Sequence, residues 1–94
     1  MFAIAFDLIV AETEAHHPKG TTQAYDEIGR TLARPGFRRV QGSVYTTDEE
    51  DLVNLTRAMN ALRALHWFPL CVRDIRAFRV EQCSDFTDFM KSNR

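Results

Sequence analysis

The chain has 94 residues, a hydrophobic fraction of 45% and a formal net charge of −1. This length predicts one small domain over residues 1–94, whose margin of burial is thin enough that oligomerisation is expected. No run reaches the ~18–20 apolar residues of a membrane span, and the apolar start lacks the basic region of a signal peptide. Cys71 and Cys83 lack metal-type spacing, so a reducing cytoplasm without a structural disulfide is the simplest context.

Charges are distributed unevenly along the chain. Arginine outnumbers lysine ten to two, and no acid lies between Glu27 and Asp48, an interval with four arginines: Arg30, Arg34, Arg38 and Arg39. The guanidinium group suits bidentate contact with phosphate, which favours a nucleic-acid partner. A solvated surface with salt bridges to the acids is an equally good interpretation, because charge patterning is weak on its own.

The first ten residues, Met1–Val10, predict a β-strand in which only Asp7 is not apolar. Side chains alternate between the two faces of a strand, so one face is bulky and should pack against helices: Phe2, Ile4, Phe6, Leu8 and Val10. The other face carries Ala3, Ala5, Asp7 and Ile9. A carboxylate within an apolar strand is costly unless it is paired, metal-bound or at a surface, so Asp7 is the first candidate for chemistry.

Residues 11–20 are polar and predict a solvent-exposed loop that contains His16 and His17. Paired histidines can bind a metal, but no third ligand follows at a suitable spacing. A helix is then predicted from a cap at Thr21 or Thr22 to Pro35, with a buried stripe of Tyr25, Ile28 and Leu32.

Two short strands, residues 37–41 and 42–46, precede a second helix, and Gly42 between them predicts a bulge or tight turn. The four acids of residues 48–51 resemble a metal site. A cap at Asp48 followed by acids that complement the helix dipole is the stronger interpretation. This helix is predicted to run to His66, with an apolar stripe of Leu52, Leu55, Met59 and Leu62.

Residues 72–80 predict the last strand, although their alternation does not identify its core face. A short terminal helix is predicted to start at Ser84 or Asp85. It presents a stripe of Phe86, Phe89 and Met90, which must dock on this chain or on a partner.

The order strand, helix, strand, strand, helix, strand predicts an α+β fold of the ferredoxin-like type. Right-handed crossovers leave few topologies, and the usual one is an antiparallel sheet of order 4-1-3-2 with both helices on one face. The first strand is then central, with Asp7 on the helix-free face. Asp74 can reach Asp7 from the last strand, and Ser43 can reach it from the other side if Val44 faces the helices.

The helix-free face should not stay open, because monomers rarely expose large apolar patches. Two subunits packed face to face would cover it and bring two copies of Asp7 together. Paired carboxylates hold a divalent ion or share a proton, so Asp7 is also the candidate ligand for Mg²⁺. Such geometry is used in phosphoryl transfer, and a metal-free acid pair would look the same.

Several stretches together resemble the family of virulence-associated protein D (VapD). They are Ala3-Ile-Ala-Phe-Asp-Leu8, Gln41-Gly-Ser-Val-Tyr45, Val72-Arg-Asp-Ile-Arg-Ala-Phe78 and Ser84-Asp-Phe-Thr87, supported by Ala24-Tyr-Asp26 and Trp67-Phe68. The resemblance extends over essentially the whole chain, apart from residues 11–20, which match members of the family poorly.

This resemblance implies a modified ferredoxin-like fold, similar to the smaller nuclease-like subunit of CRISPR spacer acquisition, and pairing as a homodimer. It also implies an endoribonuclease of the toxin–antitoxin type, with RNA as substrate and, in some genomes, a small antitoxin protein as partner. The family's catalytic aspartate carries over to Asp7, the serine of its central motif to Ser43, and the aspartate of its last-strand motif to Asp74.

On this hypothesis Asp7 binds Mg²⁺ or acts as a base on water or on the ribose 2′-hydroxyl, and Ser43 contacts a phosphate oxygen or orients Asp7. Arginines near the cleft would hold the RNA backbone: Arg38, Arg39, Arg73 and Arg76. Tyr45 or Trp67 would stack on an unpaired base, although core packing is the stronger interpretation for both.

Each catalytic candidate also has a structural interpretation. Asp7 could form an interfacial salt bridge with Arg73 or Arg76, Ser43 could be a small strand residue, and Asp74 is more simply a salt-bridge partner of its neighbouring arginines. Two other functions fit the same fold: a dimeric nucleic-acid-binding or adaptor protein without catalysis, and a small-molecule-binding regulatory domain.

Overall fold

A computed structural model describes residues 1–92 of the chain. The elements in chain order are β1 (Phe2–Leu8), α1 (Val10–His16), α2 (Gly20–Ala33), β2 (Arg38–Gln41), β3 (Val44–Thr47), α3 (Leu52–Ala64), α4 (Phe68–Cys71), β4 (Val72–Arg79) and α5 (Thr87–Lys91). The four strands form an antiparallel sheet of order β2-β3-β1-β4, which confirms the predicted α+β ferredoxin-like arrangement and the central position of β1.

The helix-covered side of the sheet holds the core. Side chains of β1 that point to it are at most 8% exposed: Phe2, Ile4, Phe6 and Leu8. They pack with buried residues of the two long helices: Ala24, Ile28, Leu32, Ala58 and Leu62. Val10 was predicted to be the fifth residue of this strand face, and that prediction is wrong. The chain leaves the sheet at Ile9, and Val10 lies in α1, where it is 63% exposed.

The predicted loop over residues 11–20 is also wrong, since most of it forms helix α1. The side chain of Thr13 is buried, and its hydroxyl donates to the carbonyl oxygen of Ile9 at 2.9 Å. Gly20, whose φ is 85°, then reverses the chain into α2, so the helix begins before the predicted caps at Thr21 and Thr22. The hydroxyl of Thr21 instead donates to Glu14 at 2.6 Å.

The third helix begins later than predicted, because Asp51 is its cap. The Asp51 carboxylate accepts a hydrogen bond from the backbone N–H of Val53 at 2.9 Å, whereas Asp48 lies outside the helix. Leu52, predicted to be in the buried stripe, is 64% exposed, and the deepest residues are Ala58 and Leu62.

The C-terminal stripe is mostly exposed in the part of the chain that the structure describes. Phe86, Phe89 and Met90 are 62%, 70% and 66% exposed. Phe86 and Met90 border an open cleft with Val40 and Gln41 of β2, so the stripe adjoins the edge strand without being buried against it. Docking on a partner stays a prediction. None of the described helices is long and apolar enough to cross a bilayer.

Candidate active site

Two carboxylates face each other across the central strand and its neighbour. Asp7 of β1 pairs directly with Asp74 of β4, and residues directly opposed in an antiparallel pair share one face. Phe6 points to the core, so alternation puts Asp7 and Asp74 on the helix-free face. Asp7 is exposed and Asp74 is half-buried. The predicted meeting of these two acids is confirmed.

Arg76 lies next to the acid pair on the same face. It is directly opposite Ala5, and its Nη1 is 3.4 Å from Oδ2 of Asp74. The salt-bridge interpretation of Asp74 is therefore confirmed. Among residues 1–92, no cation pairs with Asp7, so its carboxylate is available to a ligand or to another subunit.

A β-bulge adjoins the acid pair. The pairing shifts between Asp7 and Leu8, because Leu8 is opposite Val72 and leaves Arg73 as the extra residue. Bulges redirect side chains and end strand pairing, and they are common beside active sites. Arg73 is exposed at this point. The extra residue at the bulge is thus an arginine that directly precedes Asp74 in the chain.

Ser43 does not join this face, and the predicted placement is wrong. Val44 does not face the helices; Tyr45 and Thr47 are the buried residues of β3. Ser43 shares the side of Tyr45, and its Oγ lies 3.3 Å from the hydroxyl of Tyr25 on α2. Its carbonyl oxygen accepts a hydrogen bond from the N–H of Phe6 at 3.2 Å. Ser43 is therefore near Asp7 along the sheet but points to the opposite side.

Comparison with known proteins shows close relatives over nearly the whole chain, although no family model matches it. It is 61% identical over 92 residues to a Neisseria gonorrhoeae protein named endoribonuclease VapD homolog, covering 98% of this chain and 100% of the relative. It is 58% identical over 92 residues to endoribonuclease VapD of Haemophilus influenzae, with the same coverage. Identity to endoribonuclease VapD of Dichelobacter nodosus is 47% over 91 residues, covering 97% of this chain and 98% of the relative.

The chain belongs to the VapD family. The resemblance expected from its separate short motifs is therefore confirmed over essentially its full length.

The two aromatic candidates for base stacking are core residues in this VapD chain. Tyr45 is 2% exposed and its ring stacks on Phe6 at a centroid distance of 6.1 Å. Trp67 is 1% exposed and meets Phe68 edge-on at 5.8 Å. Neither ring has a face free for a base, so the packing interpretation is confirmed for both.

The remaining candidate arginines lie away from the acid pair, on the edge strand β2. Arg38 is opposite Thr46, which places it on the helix-free face two strands from β1. Arg39 is opposite Tyr45 and so belongs to the helix-covered side. Both are exposed. Among residues 1–92, the arginine that forms an ion pair at this site is Arg76, with Asp74.

A partly buried polar network that the sequence did not predict connects α2 with His17 at the end of α1. His17, expected in a solvent-exposed loop, is 7% exposed, and its Nε2 is 3.0 Å from Oε1 of Glu27. The indole N–H of Trp67 donates to the same oxygen at 2.8 Å. Nδ1 of His17 accepts a hydrogen bond from the N–H of Lys19 at 3.1 Å, so Nε2 carries the proton donated to Glu27.

This network changes the acidity of Glu27. Burial raises the pKa of the carboxyl group, but the hydrogen bonds from His17 and Trp67 oppose this and bring the net pKa below its ordinary value. Because the partners of Glu27 come from distant parts of the chain, no local motif could have revealed them. The network fixes α1, α2 and α4 relative to one another, and it lies on the opposite side of the sheet from Asp7.

The described residues contain no cluster of three or more His, Cys, Asp or Glu side chains that could hold a metal ion. The acid pair supplies two carboxylates. Mg²⁺ binds through one or two carboxylates and keeps several water ligands, so the chemistry of Asp7 and Asp74 fits this ion.

Proposed function

We propose that this chain is an endoribonuclease whose reaction is centred on Asp7. Its full-length similarity to proteins named endoribonuclease VapD supports this activity. The observation that carries the assignment to Asp7 is its carboxylate, exposed and unpaired within residues 1–92, directly across from a second acid.

Asp7 would act as the base of the reaction. In the route through the ribose, its carboxylate takes the proton of a 2′-hydroxyl, the 2′-oxygen attacks the adjacent phosphorus, and the bond from phosphorus to the 5′-oxygen breaks. The leaving oxygen takes a proton from solvent. In the alternative route Asp7 activates a water molecule instead. Arg76, which is paired with Asp74, and Arg73, the exposed residue that precedes Asp74 in the chain, would offset negative charge that develops on the phosphate.

Asp7 and Asp74 are the residues that would hold Mg²⁺. When bound, this ion supplies charge neutralisation at a phosphate oxygen and lowers the pKa of its water. To bind the ion, the Asp74 carboxylate would give up its ion pair with Arg76. The route through the 2′-hydroxyl needs only the carboxylate of Asp7 and the neighbouring arginines.

The active form in this proposal is a homodimer, and the helix-free face supports it. Small residues, Ala3 and Ala5, line β1 there, and Phe78 beside them is 45% exposed. A second subunit packed on this face would cover Phe78 and bring two acid pairs to one cleft. In this proposal the enzyme is a toxin controlled by a small antitoxin protein, as the family resemblance implies.

Cleavage of single-stranded RNA by wild type and by Asp7→Asn, each with and without EDTA, tests the activity. We expect wild type to cleave and Asp7→Asn to leave only background, while Asp48→Asn, an exposed acid away from the pair, stays as active as wild type. Loss of cleavage in EDTA would identify the metal route, and persistence would identify the 2′-hydroxyl route. Equal cleavage by wild type and Asp7→Asn would contradict the proposal and favour the non-catalytic adaptor.

Light scattering tests the dimer. We expect a dimeric mass for wild type and a monomer for Ala5→Arg, because a long charged side chain on the helix-free face prevents close packing. Ala64→Arg introduces the same side chain at an exposed position of α3 and should remain dimeric. A monomeric wild-type protein at micromolar concentration would contradict the shared cleft.

A further inference from the structure

A second cleft lies on the helix-covered side of the sheet, between α2 and the β2–β3 hairpin. Its volume is about 350 Å³, and the groups that matter on its walls are Tyr25, Asp26, Gly29, Arg39 and Tyr45. This volume is at the lower end of the range of small-ligand pockets, and the cleft is open to solvent along its length.

The hydroxyl of Tyr45 is the unusual feature of this cleft. The residue is 2% exposed, yet no group among residues 1–92 hydrogen-bonds its hydroxyl. In the described part of the chain, every fully buried side-chain nitrogen or oxygen has a hydrogen-bond partner. Because the Tyr45 hydroxyl has none, it is not fully buried, and it reaches solvent through the cleft. The ring of Tyr45 is therefore buried, while its unpaired hydroxyl lies at the wall of the cleft.

Gly29 lies beside the approach to that hydroxyl. A Cβ atom at this position would make an ordinary van der Waals contact with the Tyr45 oxygen at 3.6 Å. Glycine inside a helix is destabilising by about 0.5–1 kcal/mol relative to alanine. Gly29 lies inside α2, away from its ends, so no turn or helix cap at this position requires a glycine.

Arg39 supplies positive charge at the same wall. It is directly opposite Tyr45 in the β2–β3 pair, and its Nε donates to the carbonyl oxygen of Gly42 at 2.7 Å. That bond holds the guanidinium group, and its terminal nitrogens pair with no acid among residues 1–92. Burial raises the pKa of Tyr45, although the charge of Arg39 opposes the shift, so at neutral pH the phenol is protonated and able to donate.

We propose that this cleft binds one ribonucleotide of a single-stranded RNA substrate, with Arg39 and the Tyr45 hydroxyl on a phosphate and the Asp26 carboxylate accepting from a ribose hydroxyl. The proposal rests on the endoribonuclease function above. The hydrogen bond from Phe6 N–H to Ser43 links the hairpin to the strand that carries Asp7. An RNA strand passing around this hairpin would occupy the cleft on one side and reach the acid pair on the other.

Steady-state cleavage by Tyr45→Phe and Arg39→Ala tests the subsite. Removing one hydrogen bond should raise KM for single-stranded RNA about three- to tenfold in Tyr45→Phe, with kcat within about twofold of wild type. Arg39→Ala should raise KM further and reduce the salt dependence of binding by roughly one phosphate contact. Arg57→Ala, an exposed arginine of α3 far from the cleft, is the matched control and should leave both quantities unchanged.

Fluorine NMR gives a readout that is independent of activity. The chain has two tyrosines, so 3-fluorotyrosine labelling gives two resonances, which Tyr25→Phe assigns. Adding a short single-stranded RNA to labelled Asp7→Asn protein should shift the Tyr45 resonance, and Arg39→Ala should reduce that shift.

The outcomes separate the two proposals. If wild type cleaves RNA but KM is unchanged in Tyr45→Phe and Arg39→Ala, the subsite is wrong and the endoribonuclease function stands. If wild type does not cleave, the endoribonuclease function fails. A Tyr45 resonance that still shifts with RNA would then support a binding cleft, and an unmoved resonance would overturn it.

Discussion

The two faces of the sheet differ in whether their polar side chains are paired. On the helix-covered side, the buried polar residue His17 is paired with Glu27 and packed on Trp67, with ring centroids 4.9 Å apart. On the helix-free side, Asp7 lies opposite another carboxylate and has no cation of its own among residues 1–92. Like charges directly opposite each other destabilise a sheet. The difference indicates that the paired His17 and Glu27 contribute to the stability of the fold, whereas the opposed carboxylates of Asp7 and Asp74 do not.

The largest expected effect separates activity from stability at Asp7. Removing a general base typically lowers the rate by about 10²–10⁴-fold, so Asp7→Asn should lose cleavage by this factor. Its free energy of unfolding should be unchanged or higher by a few tenths of a kcal/mol, because repulsion from Asp74 is relieved. Cleavage rates and urea unfolding of the same preparation measure both. A marked loss of stability in Asp7→Asn would show instead that this carboxylate is structural.

The helix-covered side should respond in the opposite way. Trp67→Ala removes a fully buried ring and a hydrogen bond to Glu27, and substitutions of this kind cost about 3–5 kcal/mol of unfolding free energy. Trp67 is the single tryptophan, so circular dichroism in urea is the suitable probe. Leu52→Ala, at a position that is 64% exposed, is the control and should change stability little. If Trp67→Ala and Leu52→Ala lost similar amounts of unfolding free energy, the contrast between the buried Trp67 and the exposed Leu52 would be wrong.

The position of Asp7 was predictable from the sequence. Alternation along β1 separates Asp7 from the bulky residues, and the order of elements makes that strand central. The alternation of β4 is ambiguous, so the face of Asp74 is established by its pairing with Asp7 in the structure. The face of Ser43 was not predictable with the same certainty. The side-chain period of a strand is two, so choosing Val44 rather than Tyr45 as the inward residue reverses every side chain of β3.

The other errors arise from contacts between distant segments. Helix α1 buries one residue, Thr13, so residues 11–20 show no apolar stripe that would predict a helix. His17 is buried by Glu27 and Trp67, which lie 10 and 50 positions away from it along the chain. The local sequence pattern cannot identify contacts between residues so far apart. It does identify the helix in which Glu27 lies.

The smallest expected effect concerns the acid dependence of the network around Glu27. The pKa of this carboxyl is lower in the folded state than its ordinary value of 4.5, so its contribution to stability is present above that value and is lost as the pH falls through the folded pKa. Glu27→Gln keeps an oxygen that accepts hydrogen bonds but removes the charge. The difference in unfolding free energy between wild type and this variant should therefore be greatest near neutral pH and shrink below about pH 4.5, as measured by urea unfolding at several pH values. A difference that grows on acidification would mean that the charge of Glu27 does not contribute to the stability of the helix-covered side.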